Sequence, residues 1–303
     1  MPTQPMAEVF GHRIDDFSAE AVRHRQHRLC PFNNRVPSCT KDKANNPLGV
    51  CSVYDGDNCA ITCPVRFRQD WRIATDAAEF FFPTGTTWTS FTEIRLTDAY
   101  GKSAGNIDVV LVSYDKEGTL LDFGALEVQS VYISGNVRKP FESYMADPQA
   151  NANLDWRGKR DYPRADFLSS SRKRLAPQLI YKGGILHAWS RKMAVAVDQA
   201  FFAEFPVLPE VDASEADVAW FIYDLRERDQ DQRYYLAHAR TVYTQFTPAL
   251  QRITNPAPGP EESFRTLLQK RLNERQIAPS LPPTAPTVAD LFYENDRSVA
   301  DEE

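Results

Sequence analysis

Two short stretches, Asn106-Ile107-Asp108-Val109-Val110-Leu111-Val112 and Leu126-Glu127-Val128-Gln129, constrain this chain most, because each sets acidic or amide groups into a run that otherwise reads as buried strand. Ile107 to Tyr114 and Leu120 to Val131 are rich in β-branched and aromatic residues, and Asp115-Lys116-Glu117-Gly118 between them supplies turn chemistry. A fold-back near Glu117 and Gly118 sets Asp108 roughly opposite Glu127, where cross-strand neighbours lie about 5 Å apart. Strand alternation then points Glu127 and Gln129 to one face and Val128 to the other, into the core.

Two converging carboxylates raise each other's pKa unless a divalent cation lies between them. Magnesium suits such a pair, since it takes one or two carboxylates plus water and substrate phosphate. The pattern therefore suggests a metal-dependent phosphodiesterase, in which Asp108 and Glu127 hold Mg2+. The plain alternative is a half-buried hairpin whose Asp and Glu face solvent. In most sites of this kind a lysine follows the glutamate and orients or activates the water; Gln129 is uncharged near neutral pH and can only position it. Glu93 is a further candidate, because Trp88, Phe91 and Ile94 suggest a helix beneath the hairpin. In the competing reading Ser90 and Glu93 form a capping box that uses the carboxylate at the helix N-terminus.

All five cysteines fall between Cys30 and Cys63 of a 303-residue chain, which is long enough to build a core without disulfides. The first thirty residues are charged and contain no apolar run, so neither a signal peptide nor a membrane span is expected, and a bacterial cytoplasm is the expected compartment. There, clustered cysteines more often hold a metal than pair with one another. Four thiolates suit zinc or a single iron, although no CxxC knuckle is present and unligated buried cysteine is the alternative. Cys30, Cys39, Cys51 and Cys63 lie at or near turn-forming Pro and Gly, while Cys59 in the polar loop Asp55-Gly56-Asp57-Asn58 reads as the spare.

The blocks Cys30-Pro31-Phe32, Cys39-Thr40-Lys41-Asp42-Lys43, Pro47-Leu48-Gly49-Val50-Cys51-Ser52 and Cys63-Pro64-Val65-Arg66-Phe67 are followed by Gly101-Lys102-Ser103-Ala104-Gly105-Asn106-Ile107-Asp108 and Glu127-Val128-Gln129. In that order, over residues 25 to 205, the chain resembles the NotI-type restriction endonucleases, whose shorter members approach this length. The resemblance implies a PD-(D/E)xK nuclease core, a four-cysteine iron site near the N-terminus, a homodimer, and cleavage of a GC-rich palindrome. It also implies glutamine at the fourth core position, with which Gln129 agrees.

The net charge of −6 argues against a polyanion partner only until its distribution is considered. The tail 290–303 is acidic, while 155–192 concentrates Arg157, Lys159, Arg160, Arg164, Arg172, Lys173, Arg174, Lys182, Arg191 and Lys192. Such a patch binds phosphates even on an acidic protein, unless it is simply a solvated helix face. Ser169-Ser170-Ser171 reads as a helix start, which favours phosphate. Arg157, Lys159, Arg160, Arg172, Lys173, Arg174, Gln178 and Lys182 are the expected contacts to double-stranded DNA, with Arg and Lys suited to guanine edges. Tyr181 and Trp189 read as core.

These signals predict an α/β protein with a mixed central sheet flanked by helices. The expected divisions are an N-terminal helical arm (1–24), a four-cysteine loop module with little regular structure (25–75), a nuclease core (76–245) that carries the DNA-binding segment, and a C-terminal helix with an acidic tail (246–303). No internal repeat and no Gly-rich nucleotide loop is present, so no nucleotide cofactor is expected. Rival functions are a cysteine–metal-stabilised DNA-binding protein without catalysis and a repair or junction-resolving nuclease.

Overall fold

The structure, a computed structural model, describes residues 3–33, 35–43, 45–228 and 231–277. Its N-terminal strands are β1 (Met6–Val9), β2 (His12–Arg13), β3 (Asp42–Lys43), β4 (Asn46–Pro47), β5 (Val50–Asp55) and β6 (Asn58–Ile61). The remainder are β7 (Trp88–Thr97), β8 (Ser103–Tyr114), β9 (Leu120–Gln129), β10 (Tyr132–Ser134), β11 (Arg164–Asp166), β12 (Met193–Asp198), β13 (Val218–Arg228) and β14 (Asp231–Thr244).

The central sheet has six strands in the order β14-β13-β12-β9-β8-β7. It is mixed: β12 runs parallel to both β9 and β13, and the remaining pairs are antiparallel. Alternation along these strands feeds two apolar layers. Val109, Leu111, Leu126, Ala194, Ala196 and Phe221 pack with Ile73, Ala77 and Phe81 of the helix Arg72–Phe81. On the other face Val110, Val112, Ala125, Val195, Val197 and Trp220 pack with Leu175, Leu179, Leu186 and Phe246. Gly124 is required where Phe81 crosses β9, because a Cβ there would lie 2.4 Å from the ring.

The N-terminal expectations need correcting. Among the described residues of the first segment only those from Ala19 on are helical, in a helix that runs to His27; β1 and β2 precede it and join β5 and β6 in a four-stranded sheet, order β2-β1-β5-β6. Met-Ala-Glu-Val is too short to show a period and is buried along its whole length. The cysteine-rich stretch is also more regular than its loop-like composition suggests, since the β-branched residues of Val50–Asp55 form a central strand of that sheet.

Contacts group Met1–Asn255 as one compact unit and Pro256–Glu303 as a second. The helix Phe246–Thr254 belongs to the first and the helix Glu261–Ile277 to the second. The acidic tail at 290–303 lies outside the described residues. Among the described residues no helix is long and apolar enough to cross a membrane.

Candidate active site

The β8–β9 register Val109↔Leu126 carries Asp108 to the position across from Glu127. Asp108 Oδ2 accepts a 2.8 Å hydrogen bond from Val128 N–H, which ties the aspartate to the glutamate's own strand. Glu127 is fully buried between β8 and β12, where Val195 is its parallel partner. Burial, reinforced by the Asp108 charge, raises the Glu127 carboxyl to about 8 despite a cation beside it; burial likewise raises Asp108 against the pull of the Val128 N–H. Glu127 Oε1 is buried with no hydrogen-bond partner. A naked buried carboxylate oxygen next to a second carboxylate is the donor set that a hard divalent cation fills.

Glu93 reaches this place by a route other than the expected one. Residues 88–97 form the edge strand β7, not a helix, so the capping-box reading fails with the helix that required it. The pairs Thr92↔Val109 and Ile94↔Ile107 bracket Glu93 opposite Asp108, and its negative charge contributes to the raised Asp108 carboxyl. Glu93 is held at φ +58°, a left-handed conformation rare for a glutamate inside a strand. Gln129 is buried on the same face as Glu127 and donates from Nε2 to Ser130 O at 2.6 Å.

Lys182 departs furthest from its expected place. It is 5 % exposed, and its Nζ lies 2.6 Å from Glu127 Oε2 and 2.6 Å from Asn106 O. It is therefore an interior ion-pair partner and not a surface DNA contact. Its helical segment, 167–188, winds through two π-helical stretches, Ser170–Leu175 and Leu179–Gly183, of the sort that often sit at functional sites. Leu175, Leu179, Lys182 and Leu186 form its inward stripe, so a lysine occupies a position whose spacing calls for an apolar residue. That spacing was the available signal; the surrounding basic run masked it.

The other basic residues remain outside. Arg157, Lys159, Arg160, Arg172, Lys173 and Arg174 are exposed, and Gln178 is half-buried. Arg157 is engaged locally by Asp155 at 2.7 Å, and Arg174 lies over the Tyr132 ring at 4.5 Å. Tyr181 and Trp189 are exposed, contrary to their core reading: Tyr181 lies off the inward stripe, and Trp189 caps the end of the helix with its ring edge-on to Phe123.

Among the cysteines, Cys63 stands in electrostatic reach of Cys30, Cys39 and Cys51, whereas Cys59 neighbours Tyr234 and Glu8. Backbone bonds set the pairs: Cys30 N–H to Pro37 O (2.7 Å) and Cys39 N–H to Arg28 O (2.8 Å) fold one loop, and Thr62 N–H to Cys51 O (3.0 Å) brings the second pair together. Burial raises the thiols of Cys30, Cys39 and Cys51. Among the described residues, the trio of possible ligand atoms within 4.8 Å of one another is a different one, His12, Glu20 and His24. There Arg233 already serves as the cation, 2.7 Å from Glu20 and 3.2 Å from His12 Nε2, while Asp16 takes the other ring nitrogen of His12 at 2.9 Å.

No curated protein matches the chain. The family model described as restriction endonuclease NotI matches residues 8–236, which include both carboxylate strands, Lys182 and all five cysteines. The chain belongs to the NotI restriction endonuclease family and is a site-specific deoxyribonuclease.

Proposed function

We propose that this chain is a type II enzyme that cuts both strands of a GC-rich palindromic site in a Mg2+-dependent reaction, leaving 5′-phosphates. The observation that carries the reading is the pairing of Asp108 with a fully buried Glu127 whose Oε1 has no partner. These two carboxylates would hold the ion, with Glu93 beside Asp108. A bound Mg2+ supplies neutralising charge at the phosphoryl oxygens and lowers the pKa of water. Around it, Gln129 positions water through its amide, the buried walls of β8, β9 and β12 exclude bulk solvent, and Val128 N–H keeps Asp108 in place. In the reaction the water oxygen bonds to phosphorus as the P–O3′ bond breaks; the 3′ oxygen takes up one proton and solvent receives the other.

Cys30, Cys39, Cys51 and Cys63 form the proposed structural iron or zinc site, supported by the electrostatic reach of Cys63 to the other three, which Cys59 does not share. A homodimer matches the twofold symmetry of a palindrome, since one such site cuts one strand. The exposed Arg157, Lys159, Arg160, Arg172, Lys173 and Arg174, with Gln178, are the proposed DNA contacts. Incubating the purified protein with plasmid DNA and Mg2+ tests this: discrete fragments whose sequenced ends map to one G·C-dominated palindrome support it. Intact DNA with a gel shift, a smear, preference for branched substrates, or an asymmetric site would overturn it.

A further inference from the structure

The nuclease reading above leaves the active site short of a positive side chain, because Gln129 stands where such sites place a lysine. The fold supplies one from elsewhere. Lys182 comes from the helix covering this face of the sheet, 53 residues beyond Gln129 in the chain, and its Nζ touches Glu127 Oε2 and Asn106 O. The approach is built from both sides. On the helix, Gly183 allows Phe246 to lie where a Cβ would come within 2.6 Å of the ring, which presses this turn against the protein. On the strand, the lysine stem runs alongside Gly105, whose Cβ position lies at van der Waals distance, 3.8 Å, from Lys182 Cε. A lysine this buried persists only when paired, and here both of its partners belong to the site itself.

We propose that Lys182 is the positioning lysine of this active site, holding Glu127 by Oε2 and leaving Oε1 unengaged, and so brings to the carboxylates from a helix the positive charge that a lysine at the fourth position would bring from the strand. The role differs from that of a surface lysine on DNA, which adds affinity and a counterion but no geometry at the carboxylates. It also differs from that of a metal ligand, because an ammonium opposes a cation at the same pair.

The test rests on the nuclease reading and uses the full-length protein, with wild type and Asp108→Asn as references; if wild type fails to cut, that reading has failed and not this one. Cleavage at saturating DNA, DNA affinity and Ca2+ affinity are measured for Lys182→Met, and for Lys182→Gln if the first variant does not fold. The expected result is a rate loss of about 10²-fold, DNA affinity and salt slope unchanged, and Ca2+ binding as tight as wild type or tighter. Adding Gln129→Lys to Lys182→Met should then recover about tenfold or more of the lost rate, which a purely structural lysine would not permit. A rate near that of wild type, weakened DNA binding with an unchanged rate, weaker Ca2+ binding, or no recovery in the double variant would overturn the proposal.

Discussion

At the scale of single residues, the pair Asp108 and Glu127 concentrates the function. Asp108→Asn or Glu127→Gln keeps shape and removes a charged ligand, so each should lower the cleavage rate by roughly 10³-fold or more, the several kcal/mol that a metal-held charge contributes at the transition state. Gel-shift affinity in Ca2+ should stay close to wild type, as should the melting temperature of Asp108→Asn, whereas Glu127→Gln should melt lower because the buried Lys182 ammonium loses its carboxylate; a variant that cuts at the wild-type rate would remove the residue from the mechanism. Glu127 also sets a pH dependence. Its carboxyl is raised from 4.5 to about 8, so in the metal-free protein the stability it contributes is fully present below 4.5 and is lost as pH rises through about 8. The same proton must leave before the oxygen can bind a cation. Ca2+ affinity should therefore rise with pH up to about 8, with about one proton released per ion near neutrality. Calorimetry in buffers of different ionisation enthalpy reads that proton directly, and pH-independent affinity without proton release would refute the linkage. The pair was legible in the sequence because a hairpin with a clear turn fixes its own register. Lys182 was not, since no local rule links a helix position to a strand 55 residues away in sequence.

At the scale of elements, the helical segment 167–188 decides whether the site is complete. Its inward stripe packs in the same core layer as Val110 and Val112 of β8 and Phe246, and at Gly183 the Phe246 ring lies within 2.6 Å of where a Cβ would stand. Gly183→Ala puts a Cβ into the Phe246 ring, so it should cost about 1–3 kcal/mol of stability. It should also slow cleavage by moving the neighbouring Lys182. Chemical denaturation and the turnover rate read the two effects separately; a wild-type rate in a destabilised variant would show that helix position and site geometry are uncoupled. The misreading of β7 belongs to this scale. Trp88, Phe91 and Ile94 have helical spacing, yet on this edge strand Phe91 and Ile94 are exposed and only Leu96 is fully buried, so the spacing of its apolar residues does not mark the strand's inner face. Short strands such as Met6–Val9 were illegible for the opposite reason, being buried throughout and too brief to display alternation.

At the scale of the whole molecule, the cysteine-rich region and the nuclease sheet are one structure. Val131 N–H donates to Ile61 O at 2.8 Å, and Ile61 N–H to Asp198 Oδ2 at 3.1 Å, so β6 is stitched to the ends of β9 and β12. Replacing Cys30, Cys39, Cys51 or Cys63 by Ser should each release about one iron or zinc per chain and lower the melting temperature of the entire unit in a single transition, because energy of binding at a structural site is energy of folding. Cys59→Ser should retain the metal, and elemental analysis that found it lost there would overturn the ligand assignment. The mixed sheet was predictable from alternating strand and helix signals; the merging of its surroundings was not, because a sequence shows faces but not which faces meet.

The buried ion pair between Arg66 and Glu8 carries this fusion further. The guanidinium lies 3.1 Å from the carboxylate, bonds Tyr234 O on β14 at 2.9 Å and covers the Phe32 ring at 4.2 Å, with both charged groups wholly removed from water. Removing either partner alone would leave the other charge buried without its counterpart, at a cost of about 3–5 kcal/mol, and the guanidinium's bond to Tyr234 O ties the pair to β14. The block is thereby keyed to the sheet: moved elsewhere it would carry its own ion pair but would need a carbonyl where Tyr234 O stands to receive the remaining guanidinium donor.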